Sequence, residues 1–274
     1  MRKEIKNIEP KIGLGELQFG MKQDDIKYLI GLPNEIEIYE YLPETKERHE
    51  QWSYYELQLE IYFSSEEEWK FDSVSVNSSY YELWKTIKIG QKMKNVEQIL
   101  KKLKVEDYLC EDISTIESPD HKLFELKESD VNLWFDNREL SEIQWSPKFI
   151  DEETLNWPFK SVIKNEKAQI GYKRYSTDFL FRRLEEHLIE WLDKIFSNKE
   201  KYKDLINDFP NGTQRENLRT ENRTVRYFLN IKEKIDGAIM AKARLLHNEI
   251  GDLGWMAVEW ENDLTFIDDY ILID

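Results

Sequence analysis

The side chains able to do chemistry are few, and their spacing argues against most of it. No two of the four histidines, His49, His121, His187 and His247, share a short metal-ligand spacing. Glu186, His187 and Glu190 have the types of a metal or acid/base group, yet no His-Glu-x-x-His supports them, and a charged helix surface accounts for all three. The acids Glu259, Glu261, Asp263, Asp268, Asp269 and Asp274 offer oxygen ligands but lack the Asp-x-Asp-x-Asp-Gly loop of a calcium site, so a solvated or partner-facing hairpin is expected. Cys110 lies in Tyr108-Leu109-Cys110-Glu111-Asp112, where the neighbouring carboxylates disfavour a thiolate; a buried or inert cysteine is expected. Ile12-Gly13-Leu14-Gly15 has Gly-x-Gly without a following Gly-Lys-Ser/Thr, so a short strand or turn is expected there rather than a phosphate loop. No catalytic residue, metal site or cofactor is predicted, and the chain reads as a non-enzyme.

The elements that would carry these residues begin with a short helix whose start and stop are both written in the sequence. In Phe19-Gly20-Met21-Lys22-Gln23-Asp24-Asp25-Ile26-Lys27-Tyr28-Leu29-Ile30-Gly31, Asp24 and Asp25 suit the positive end of the helix dipole. Ile26, Leu29 and Ile30 form one apolar stripe, and Gly31 with Pro33 ends the helix. Seventy residues on, Gly90, Val96, Ile99 and Leu100 repeat Gly20, Ile26, Leu29 and Ile30. The strands predicted after each helix also match in order, residues 55–63 with 130–135 and 71–76 with 140–145, which predicts a tandem duplication with units about 12–80 and 83–146. Within the first unit, 35–41 alternates like a further strand, and residues 43–50 read as a charged connection. Leu57, Leu59, Ile61 and Phe63 take the core side of 55–63 by alternation, leaving Glu56, Gln58, Glu60 and Tyr62 outward.

The prolines Pro147 and Pro158, with Asp151-Glu152-Glu153 between them, break this pattern and predict a domain boundary. Beyond it the period turns helical. A helix over 177–196, capped by Ser176 or Thr177, carries Phe179, Leu180, Leu184, Leu188, Trp191, Leu192 and Ile195 inward. A shorter helix is predicted over 199–209. A long one follows over 219–249, with Val225, Phe228, Leu229, Ile235, Ile239, Leu245 and Leu246 inward. Residues 254–260 and 266–273 read as two strands joined at Asn262-Asp263. The predicted class is α+β: residues 1–148 a tandem repeat of helix plus antiparallel sheet, and residues 159–274 a mainly helical domain with a terminal β-hairpin.

Charge narrows the partners. The net charge of −16 repels nucleic acid and anionic membrane surfaces and attracts basic proteins. Neither an apolar leader nor a membrane-length apolar run stands out, so a cytoplasmic location is expected. Aromatic rings among carboxylates on the outward side of the strands make Tyr39, Glu56, Glu60, Tyr62, Trp134 and Asp136 the candidate partner-binding residues.

The unit Phe19-Gly20-Met21, short helix, Gly31-Leu32-Pro33 and then strands resembles the repeat of β-lactamase inhibitory proteins and of the small outer-membrane assembly lipoproteins that share their helix-and-sheet fold. The resemblance covers roughly residues 12–146. It implies that two tandem units present a concave sheet surface to a protein partner. The chain departs from those exported proteins in having no secretion signal, lipidation cysteine or disulfides. An acidic protein of this shape resembles instead the immunity proteins of bacterial polymorphic toxin systems, such as contact-dependent growth inhibition. That resemblance implies stoichiometric inhibition of a cognate basic toxin, with no direct nucleic-acid or membrane partner. An intracellular adaptor using the same sheet, and an enzyme housed in the helical half, are the alternatives.

Overall fold

Strands form wherever apolar and polar residues alternate, and in this chain that rule reaches much further than the helical period suggests. The computed structural model describes the 274 residues apart from 1–4, 41–46, 117–118, 151–154, 160–174, 230–237, 262 and 274. In chain order come β1 (Asn7–Glu9), β2 (Gly13–Leu14), β3 (Leu17–Gln18), α1 (Gln23–Ile30), β4 (Glu35–Tyr39), β5 (His49–Tyr54), β6 (Leu59–Ser64), β7 (Phe71–Val76) and β8 (Glu82–Leu83). There follow α2 (Met93–Lys102), β9 (Leu109–Asp112), β10 (Lys122–Leu126), β11 (Val131–Asp136), β12 (Glu139–Trp145), β13 (Lys148–Phe149) and β14 (Leu155–Asn156). The last are α3 (Thr177–Ser197), α4 (Lys203–Asp208), β15 (Leu218–Phe228), β16 (Ala238–His247), β17 (Gly251–Glu261) and β18 (Phe266–Ile273). The chain divides into two compact units, one of Met1–Pro33 with Gln51–Gln169 and one of Asn34–Glu50 with Ile170–Asp274.

In the first unit β5-β6-β7-β12-β11-β10-β9 lie in that order in one sheet. Leu59, Ile61, Phe63, Val74, Val76, Phe124, Leu133, Phe135, Ile143 and Trp145 are buried on one side of it, as are Ile26 of α1 and Val96 and Leu100 of α2. The two halves are built alike. The Gly20 amide donates to the Phe71 carbonyl at 2.9 Å and the Gly90 amide to Leu140 at 2.8 Å. In return the Phe71 amide donates to Met21 at 2.8 Å and that of Leu140 to Gln91 at 2.9 Å. Each glycine takes a left-handed φ, 93° and 86°, which lets the chain turn off the strand it pairs with and begin the helix. At the start of α1 the Lys22 amide donates to the Asp25 carboxylate at 3.1 Å, closing the first turn. In chain order each repeat is a helix followed by four strands, α1-β4-β5-β6-β7 and α2-β9-β10-β11-β12, with β4 grouping by contacts with the second unit.

In the second unit β18-β17-β16-β15-β4 lie in that order, every pairing antiparallel. Ile239, Ala241, Ala243 and Leu245 of β16 are buried, and α3 packs on β15, β16 and β17. Helix α3 buries Leu180, Phe181, Leu184, Leu188, Leu192 and Ile195, and Ser176 caps it, its Oγ accepting the Phe179 amide at 3.3 Å.

The α+β expectation with a mainly helical C-terminal domain is therefore corrected: the described chain is mostly β. The long helix expected over 219–249 is instead β15 and β16, paired through Val225↔Ala241 and Tyr227↔Ile239. Ala241, Ala243, Leu245 and Leu246 are helix formers in isolation, but the period that is buried is two, Ile239-Ala241-Ala243-Leu245, and packing overrides propensity. Tyr227 takes the core place assigned to Phe228, while Ile235 lies outside the described residues. The helix expected over 199–209 is shorter, Lys203–Asp208. Residues 55–57 form a 3-10 turn before β6, so Leu57 is not in the strand core. Within the charged connection of 43–50, residues 41–46 are not described and His49 and Glu50 begin β5. By contacts, residues 34–50 group with residues 170–274. The acids Asp151-Glu152-Glu153 and the turn residue Asn262 lie outside the described residues, whereas the terminal strands stand as β17 and β18. Cys110 is exposed in β9 rather than buried.

What fastens 34–50 into the second unit is a buried ion group. Glu40 follows β4 and its side chain is 1% exposed, accepting from Arg48 Nε at 3.0 Å and from an Arg223 terminal nitrogen at 2.6 Å. Both guanidinium groups lie over the Phe181 ring of α3, at 5.6 and 4.7 Å from its centroid, and Arg48 also pairs with Asp178. Removing the shared carboxylate takes a buried partner from two partly buried cations, leaving Arg48 with the exposed Asp178 and Arg223 with Glu185 at 3.5 Å. Glu40→Ala is expected to cost about 3–5 kcal/mol in urea unfolding. Asp178→Ala, at a side chain 78% exposed, should cost under about 1 kcal/mol. The repeat gives a second test. Gly90→Ala has nothing within 4 Å of the new Cβ and should cost about 1–2 kcal/mol for its φ alone. Gly20→Ala adds a 3.2 Å approach to the Trp157 ring, so its urea midpoint should fall clearly below that of Gly90→Ala.

Candidate functional site

Alternation leaves one side of the first unit's sheet without a helix, and its side chains are polar and aromatic. Tyr62 and Glu60 of β6, Ser73 and Ser75 of β7, Glu142 and Gln144 of β12, Asn132 and Trp134 of β11 and Leu123 and Glu125 of β10 all lie opposite the core phase. Register aligns them in rows: Glu60 with Ser75, Gln144, Asn132 and Glu125, and Glu142 with Trp134 and Leu123.

The centre of this face is a carboxylate network. The Tyr62 hydroxyl donates to Glu60 Oε2 at 2.7 Å, and Ser75 Oγ, in a residue only 4% exposed, donates to the same oxygen at 3.5 Å. Burial, reinforced by the hydrogen bond to Glu60, pushes the Tyr62 phenol far above its ordinary range, so it is a fixed donor. Glu142 is raised above the usual carboxylate range, first by burial and further by the charge on Glu60, while Ser75 and His121 pull it partly back. Across the strand pair from Glu142, the Trp134 ring stands 5.9 Å from His121, and its indole N–H is buried with no hydrogen-bond partner among the described residues. Such a donor is costly to leave unmatched, which marks it as one that another molecule can satisfy.

Of the expected partner-binding residues, Glu60, Tyr62 and Trp134 share this face. Tyr62 and Trp134 are three strands apart, about 14 Å across the sheet at ~4.8 Å each, and four residues out of register, about 13 Å along it, so they lie roughly 20 Å apart on a diagonal with the carboxylates between them. Asp136 is exposed two residues further along β11, at the hairpin end. Glu56 lies in the 3-10 turn, off the sheet. Tyr39 belongs to β4 of the second unit, where it pairs with Thr224 and stacks on His49 at 5.5 Å. Ser75, Glu142 and His121 were not foreseen. The first two sit on the polar phase of strands read for their apolar phase only, so alternation carried the signal. His187 does not join Glu186 and Glu190; it bonds Asp269 of β18 at 2.7 Å and stacks on Phe266. Among the described residues no group of three or more His, Cys, Asp or Glu is arranged to hold a metal. No described helix is long and apolar enough to cross a membrane.

Comparison with known proteins returns no matching family model, no similar curated protein and no similar solved structure.

The raised Glu142 has a testable sign. Its folded form binds a proton more readily than the unfolded chain does, so ionising it opposes folding above its raised value and that opposition fades as pH falls. Glu142→Gln should unfold at a higher urea concentration than the parent at pH 7, the gap closing on acidification toward the ordinary glutamate range, about 4.3.

Proposed function

We propose that the chain is an immunity protein that binds a cognate basic toxin domain and neutralises it stoichiometrically, through the helix-free face of the first unit's sheet. The observation that carries this reading is the group Glu60, Tyr62, Ser75 and Glu142 beside Trp134. It combines two part-buried carboxylates, no lysine or arginine bridging either of them among the described residues, and an aromatic ring with an unmatched N–H. A protein folding for stability alone gains nothing from a raised carboxylate in a sheet, whereas a lysine or arginine from a partner would relieve it. The net charge of −16 supports the same partner class by steering basic proteins toward the chain.

The test is association of the purified protein with the toxin domain encoded next to its gene, followed by surface plasmon resonance. A 1:1 complex is expected, with association slowing as salt shortens the Debye length to about 8–10 Å. Trp134→Ala should raise the dissociation rate by the equivalent of about 2 kcal/mol. Glu60→Lys should slow association and weaken the complex, while Glu56→Lys, off the face, should act only through the long-range field and much less. Equal binding by the parent and by the Trp134 and Glu60 variants would overturn the assigned face; absence of any complex would overturn the inhibitor reading.

A further inference from the structure

The internal repeat makes β4 and β9 counterparts, each the first strand after its helix, α1 and α2. Their side chains alternate in the same sense. Ile36 and Ile38 of β4 are fully buried while Glu37 between them is not. In β9, Cys110 stands opposite the buried Phe124, and Glu111 stands opposite Leu123, in the row that continues to Trp134 on the open face. Glu111 therefore has the place in the second half that Glu37 has in the first.

The two strands differ in what lies along one edge. β4 carries an antiparallel neighbour, β15, in the register Val225↔Ile38, Arg226↔Glu37 and Tyr227↔Ile36, and Arg226 bonds Glu37 at 2.9 Å. β9 pairs with β10 on one side only and is the last strand of its sheet among the described residues. All four of its residues are exposed, Leu109 to 42%, and no cation partners Glu111 among the described residues. β9 is short and carries Glu111 and Asp112, carboxylates that repel a like-charged strand and favour a basic one, but neither proline nor lysine nor a bulge interrupts it. Just beyond the strand the Ile116 side chain is wholly exposed.

We infer that the free edge of β9 is a docking site for an antiparallel strand of another protein, one that sets an arginine or lysine opposite Glu111, as β15 sets Arg226 opposite Glu37. The added strand gains main-chain hydrogen bonds from the unpaired backbone groups of β9, and the ion pair fixes its register. Four residues form a short ladder, so the strand works as one part of a larger interface. Because β9 borders the row holding Leu123 and Trp134, that interface runs on from the open face. The inference rests on the repeat and on the edge, and not on the partner being a toxin.

The chain supplies its own probe. A synthetic peptide with the sequence of residues 218–228, at millimolar concentration, should slow amide exchange at residues 109–112 of the intact protein two- to five-fold. Glu111→Lys should abolish that protection, and a peptide carrying Arg226→Glu should restore it on the Glu111→Lys protein. This charge exchange separates pairing at the edge from a mere change in fold. Absence of protection at 109–112, protection indifferent to the charges, or protection confined to residues 35–39 through exchange with the chain's own β15 would each overturn the site.

Discussion

The second unit depends on the carboxylate of Glu40. It is almost without exposure and pairs with Arg48 and Arg223 at once. A buried ion pair seldom adds much stability over apolar packing, but once formed it punishes any arrangement that leaves one member alone. That asymmetry makes it a register lock. Slipping β4 against β15 by one residue would pull Glu40 from Arg223 and break Arg226 from Glu35 and Glu37, while turning Ile36 and Ile38 outward. Charge and hydrophobic phase thus specify the same pairing.

How much of this could be read from the amino acids depends on which signal each element uses. The repeat was legible because glycine at a left-handed φ followed by an apolar i, i+3, i+4 stripe is a local pattern, and Gly20 and Gly90 make the same backbone bonds. The strands Phe71–Val76 and Val131–Asp136 were legible by alternation. β15 and β16 were not, because Arg, Glu, Ala and Leu suit a helix locally and only long-range pairing selects the extended form. β5 was hidden for a related reason: in His-Glu-Gln-Trp-Ser-Tyr the buried phase holds Glu50, Trp52 and Tyr54, and the acid masks the period.

The candidate face was half legible. Outward phase found Glu60, Tyr62 and Trp134, since side-chain direction in a strand follows from position. It could not find that Ser75 and Glu142 complete the group, which needs the order in which strands lie side by side, β6-β7-β12-β11, rather than the order in which they occur. Alternation also puts Tyr39 and Glu56 with the rest, because distance along the chain says nothing of which unit Tyr39's strand joins, nor that Glu56 falls in a 3-10 turn before its strand begins. Two kinds of polar group result: the Glu40 group is compensated by arginines from within, while no lysine or arginine among the described residues bridges Glu60 or Glu142. The first kind holds a fold together, and the second is the kind that the proposed binding would use.

The excursion of residues 34–50 into the second unit also sets an order of events during synthesis. Glu40 is 183 residues from Arg223, and Glu37 is 189 from Arg226. At the usual ribosomal pace of roughly 5–20 residues per second, β4 waits about 10–40 s for the strand that will cover its edge. Through that interval Ile36, Ile38 and an unpaired backbone edge are open to any passing chain, and the glutamates at 35, 37 and 40 supply the repulsion that discourages wrong pairing. The same carboxylates that later bind arginine would then serve first as a built-in chaperone, guarding a strand whose partner does not yet exist.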